Sequence, residues 1–144
     1  MNQFEPTKLL AKVFSPLKKI PFLPILIDEQ LKIYTLFIKP KVFGKMIDVV
    51  KFLKSIPDVK TKYHRYGGLE FTIKHAEICH LHGDGLLDVL LNHQKAKELI
   101  ENTEATQHHV IKNSGWISYQ ICKTSDLKEV IGIINQAILL RGKT

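Results

Sequence analysis

Leu69-Glu70-Phe71-Thr72-Ile73-Lys74-His75-Ala76-Glu77-Ile78-Cys79-His80-Leu81-His82-Gly83-Asp84-Gly85 sets the architecture of this chain. Leu69, Phe71 and Ile73 alternate with Glu70, Thr72 and Lys74, the period of a half-buried strand. Gly67-Gly68 supplies a turn before it, and Lys74-His75 is short enough to make Ala76 to Leu81 the second arm of a hairpin. Gly83-Asp84-Gly85 then turns the chain again, into Leu86-Leu87-Asp88-Val89-Leu90-Leu91.

Downstream, Asn92 is placed to cap a helix from His93 to about Asn102, with Ala96, Leu99 and Ile100 turned inward. His109 to Ile111 and Trp116 to Ile121 read as strands joined by the turn Lys112-Asn113-Ser114-Gly115. Asp126 and Glu129 form a capping box ahead of the apolar stripe Val130, Ile131, Ile133, Ile134, Ala137, Ile138 and Leu140. Upstream, Phe43, Met46, Ile47, Val50, Leu53 and Ile56 recur at helical spacing until Pro57 stops them. Residues 22–38 fit helix or strand, with helix favoured, and residues 7–19 read as a basic amphipathic helix. The sum is α+β: a mostly antiparallel sheet of about four to five strands packed by N-terminal helices and a C-terminal helix. One domain is expected over 1–144, a basic helical part (1–63) leading into an α+β part (64–144).

Charge separates those two parts. Residues 1–63 carry twelve Lys against five acids, a net of +7, while 64–144 carry nine Lys and Arg against nine acids. A basic half of this kind suits an acidic partner, nucleic acid or an anionic membrane surface. Only Arg65 and Arg141 represent arginine, which argues against base reading and leaves backbone contact. The start has no secretory signal, no run approaches the length of a membrane span, and Cys79 and Cys122 match no disulfide or zinc framework. A cytoplasmic protein with reduced thiols is the expectation.

All seven histidines lie between His64 and His109. His80 and His82, two apart on a strand, emerge on one face with their Cβ atoms about 6–7 Å apart. Asp84 follows between two glycines. Two imidazoles and a carboxylate suit a divalent metal, so His80, His82 and Asp84 form the metal-ligand set. His108 and His109 are candidates for a further ligand, which requires His109 to lie within about 10 Å of the pair. The motif His-x-His-x-Asp also opens the zinc site of metallo-β-lactamase-type hydrolases, but Gly85 stands where that motif needs a histidine.

The wider ligand-binding set is Arg65, His80, His82, Asp84, His109, Ser114 and Trp116, with Arg65 at the rim for a small anionic ligand. Ser114 lacks the frame of a serine nucleophile, and its Asn-Ser-Gly setting is that of a turn. His75 and His93, at a turn and a helix start, have no assigned role. An enzymatic form of the site would be a hydrolase with an imidazole as general base. The alternative is a non-enzymatic interaction module that docks its basic N-terminal half on nucleic acid, an anionic membrane or an acidic partner.

From His64-Arg65-Tyr66-Gly67-Gly68, through His80-Leu81-His82-Gly83-Asp84-Gly85 and Asp88, to His108-His109-Val110 and Ser114-Gly115-Trp116, the chain resembles the family described as luciferase domain or luciferase family protein. The resemblance implies a shared domain over the C-terminal part. It brings no light-emitting activity with it, because no flavin site, adenylation motif or oxygen-activating centre is readable here.

Overall fold

The computed structural model describes residues 19–142, so the helix expected over 7–19 lies, Lys19 apart, outside the described residues. Helices α1 (Leu23–Ile38) and α2 (Pro40–Ser55) precede four strands, β1 (Lys60–Tyr63), β2 (Leu69–Ile73), β3 (Ala76–Leu81) and β4 (Leu86–Leu90). Helix α3 (His93–Asn102), β5 (Thr106–Gln107), β6 (Trp116–Gln120) and helix α4 (Leu127–Gly142) follow. The strands form one antiparallel sheet in the order β1-β2-β3-β4-β6-β5. The α+β class is as expected. Among the described residues, no helix is long and apolar enough to cross a membrane.

The sheet has six strands rather than four to five, and two of them differ from expectation. β1 is exposed along its whole length, so Lys60-Thr61-Lys62-Tyr63 has no apolar alternation to announce it. Its lysines suit a sheet edge that must not recruit a further strand. Residues 109–111 are not a strand; the pairing segment is Thr106–Gln107, just upstream. The N–H groups of Val110 and Ile111 both donate to His108 Nδ1, at 3.1 and 2.9 Å, and a local turn thereby takes the donors a ladder would need. The helix caps follow the sequence more closely. Asn92 accepts from the Lys95 N–H at 2.8 Å. Asp126 accepts from Lys128, but Glu129 reaches the Tyr119 hydroxyl on the sheet instead of closing the box.

Strand alternation divides the sheet into two unlike faces. The core side carries Phe71, Cys79, Val89 and Ile117 in one paired row, and helices α2 and α4 cover this core with Met46, Val49, Leu53, Ile133, Ile134 and Ala137. Leu53 is fully buried there. Leu53→Ala should cost about 2–5 kcal/mol, read as a lower urea midpoint at unchanged slope. The other side carries a polar row through all six strands: Lys62, Glu70, His80, Asp88, Ser118 and Thr106 are successive cross-strand partners. Lys62 pairs with Glu70 at 3.0 Å, and the Ser118 hydroxyl donates to Asp88 Oδ1.

Helix α1 closes one end of the polar side by direct backbone approach. A Cβ on Gly83 would lie 2.3 Å from the Asp28 carbonyl oxygen, and one on Gly67 would lie 2.7 Å from that of Pro24. Only glycine admits the helix this closely.

Candidate metal centre

The polar row brings His80 and Asp88 face to face as a cross-strand pair. His82 stands just beyond β3, in the turn closed by its N–H to the Leu86 carbonyl at 2.9 Å. The loop after β5 returns His108 and His109 to the same place. The His82 and His109 ring centres are 6.4 Å apart, within the limit a shared ion demands, and those of His80 and His82 are 5.2 Å apart.

Asp88 Oδ2 is the hub. Around it stand His80 Nε2 at 3.1 Å, His108 Nε2 at 3.5 Å, His82 Nε2 at 3.6 Å and His109 Nδ1 at 3.8 Å. Neither this oxygen nor His109 Nδ1 meets the full distance and angle of a hydrogen bond, although both are buried. Three of the four distances exceed a hydrogen bond. They do fit another object: two ligands each about 2 Å from a tetrahedral ion stand roughly 3.3 Å from one another. His80, His82 and Asp88 form one group of donors able to hold a metal ion, and Asp88, His108 and His109 form another.

The outer nitrogens of the pair are anchored. His80 Nδ1 meets Glu77 at 2.6 Å, and His82 Nδ1 meets Asp28 Oδ1 at 3.1 Å, an oxygen that also accepts from the Gly83 N–H. Each carboxylate fixes its ring with Nε2 aimed inward, the arrangement that orients metal-bound histidines. His108 is different: because its Nδ1 accepts two backbone N–H bonds, its ring proton sits on Nε2 and points at Asp88. It is a donor to the hub rather than a ligand beside it.

A third group, His64, Glu77 and His80, also has donors close together. There the His64 ring stacks flat on His80, 4.1 Å away and 7° from parallel, so the in-plane lone pairs of the two rings cannot converge on one ion.

Burial alone would depress His82, but the carboxylates of Asp28 and Asp88 outweigh it and hold His82 up at about 10. His80 is likewise raised, against its burial, by Asp88 and Glu77. Asp88 is held well below the carboxylate range because His108, His80 and His82 overcome its desolvation. His109 and His64 go the other way, down to about 4. Desolvation is the main cause for both, and neighbouring imidazoles add to it. The centre therefore presents two proton-holding imidazoles, two bare ones and a buried anion.

Of the residues singled out in the sequence, His80, His82 and His109 meet here. Asp84 is buried, but its Oδ1 accepts from the Leu86 N–H at 3.2 Å within the turn, and it belongs to none of the three donor groups. Arg65 is exposed, with its guanidinium 4.5 Å over the Tyr66 ring. Ser114 bonds the Ile111 carbonyl and the Trp116 N–H. Trp116 packs its ring near His80 and His108, at 5.4 and 5.7 Å, and with Ser114 borders an adjoining cleft of about 290 Å³. His75 and His93 are exposed. Glu77 and Asp88, carboxylates near the histidine pair in sequence, do meet it, although neither was singled out as a site residue; Asp28 was not foreseen.

No curated protein and no solved structure matches the chain. A family model does, over residues 75–137, a segment that contains Glu77, His80, His82, Asp88, His108 and His109. It is the model described as Luciferase domain, the family the sequence resembles; the matched segment holds most of the histidine centre, and Asp28 and His64 lie outside it.

Proposed function

We propose that this chain binds one divalent transition-metal ion through His80 Nε2, His82 Nε2 and Asp88 Oδ2, with His109 Nδ1 drawing in from the neighbouring donor group as a fourth ligand. The observation that carries the reading is the buried Asp88 oxygen, ringed by imidazole nitrogens of His80, His82 and His109 at 3.1, 3.6 and 3.8 Å. An imidazole-rich set with one carboxylate suits zinc, iron, copper or nickel better than calcium or magnesium. Three carboxylates, Asp28, Glu77 and Asp88, surround the imidazoles and favour a cation over a small anion as the direct occupant.

Charge supports the same reading. With His80 and His82 protonated, three carboxylates against two cations leave one negative charge; exchanging those two protons for a divalent ion leaves the same. Uptake at neutral pH should accordingly release close to two protons per ion, visible as a dependence of calorimetric heat on the ionisation enthalpy of the buffer. The sign follows from the raised imidazoles: they must lose protons to ligate, so affinity falls as pH falls. Uptake without proton release would remove His80 and His82 from the ligand set.

Metal content of the purified full chain, measured by mass spectrometry, tests the reading. About one ion per chain is expected, lost in His80→Ala. His109→Gln should weaken binding far more than His108→Gln, since only His109 offers a bare nitrogen. Equal metal content in the parent and His80→Ala would overturn the proposal.

A further inference from the structure

Helix α1 is packed inside out. The residues it buries are Asp28 and Thr35. Leu26, Ile33, Leu36 and Phe37 face solvent, at 59%, 51%, 43% and 75% exposure, and Phe22 at its start is 78% exposed, while Leu23, Ile25, Ile27 and Leu31 are half-buried. At 100° per residue, Phe22, Leu26, Ile33, Leu36 and Phe37 fall within one stripe, opposite the buried pair. The cause is local. The inner face must come close to the glycine turns and hold His82 through Asp28, which leaves no room inward for bulk. An exposed apolar stripe of this kind, interrupted by Glu29 and its ion pair with Lys32, marks a contact surface.

Lysines bracket the stripe: Lys19 lies ahead of Phe22, and Lys39 and Lys41 follow Ile38. The segment preceding it, residues 1–18, repeats the same chemistry in sequence, with Leu9, Leu10, Val13, Phe14 and Leu17 among Lys8, Lys12 and Lys18. We infer that this outward face of α1 lies on the surface of an anionic lipid bilayer, its apolar side chains among the acyl chains and its lysines at the headgroups. A nucleic-acid backbone would satisfy the lysines and leave Leu26, Ile33 and Phe37 in water. A second copy of the chain would cover them but bring two +7 halves together. Only a surface that is both apolar and anionic answers both features. The contact is independent of the metal, since Asp28 faces the other way.

Sedimentation of the full chain with large vesicles tests it, using phosphatidylcholine alone and with about a third phosphatidylglycerol. The chain should go down with the anionic vesicles at low salt, remain in solution with the neutral ones, and be released as salt rises. Leu26→Ser with Phe37→Ser should weaken binding at least about tenfold while the thermal midpoint holds, because both side chains are exposed. Lys39→Gln with Lys41→Gln should cost roughly fivefold per lysine. Failure to bind anionic vesicles at low salt overturns the inference, as does binding indifferent to the Leu26/Phe37 pair. So does binding to duplex DNA in place of vesicles, or a dimer in solution that the Leu26/Phe37 pair dissociates.

Discussion

Asp88→Ala should lower metal affinity by more than about a hundredfold, a larger loss than removing either anchoring carboxylate would cause. Asp88 is the one group that every inward-facing imidazole shares. Its loss also leaves His80 and His82 buried with only Glu77 and Asp28 to balance them, and frees the Ser118 hydroxyl. A buried pair broken from one side typically costs about 3–5 kcal/mol, so the melting temperature of the metal-free protein should fall as well. Asp88→Asn separates the two losses. It keeps the shape and a partner for Ser118, and removes the charge. The asparagine variant should stand closer to the parent in stability yet bind metal poorly. If Asp88→Ala retains metal at the parent ratio, the hub does not ligate.

Gly83→Ala should be among the most disruptive changes of a single methyl group. The new Cβ would sit 2.3 Å from the Asp28 carbonyl oxygen and 2.6 Å from the Lys32 nitrogen, both backbone atoms of α1, so no side-chain rotation relieves the clash. The helix must move, and Asp28 moves with it, away from His82 Nδ1. About 2–4 kcal/mol of destabilisation is expected, with weaker metal binding as a second reading. Gly132→Ala is the natural contrast. It lies in α4 with nothing within 4 Å of the added carbon, where alanine should stabilise by about 0.5–1 kcal/mol. Opposite signs in two denaturation curves would locate the effect in the contact with α1; equal effects would refute it.

The strands β2 and β3 were legible because alternation is local, and the helices because their apolar periods are. Asp88 was hidden by a smaller gap. Centring the turn on Asp84 and counting equal steps outward puts Leu81 opposite Leu87 and His80 opposite Asp88, which is the observed register; the hairpin arithmetic held the hub, but Asp84, nearer in sequence to His82, drew the assignment. Asp28 could not be found that way. It lies 54 residues from His82 and comes from a helix whose composition suggests burial of its apolar side, whereas packing buries its polar one. The strand expected at 109–111 was defeated by a histidine side chain that captures backbone donors, a choice that propensity does not register.

The two-faced sheet has a consequence for how this domain tolerates change. Along β2, β4 and β6, one set of alternate positions answers to the apolar interior and the intervening set to the polar row and its imidazoles. Rigidity and ligand choice are thus written in interleaved letters of the same strands. A substitution that re-tunes the imidazole row leaves the opposite layer's packing intact, and a repacked interior leaves the row's spacing to the backbone alone. Such a partition makes the scaffold suited to changing what its polar row holds without relearning how to fold.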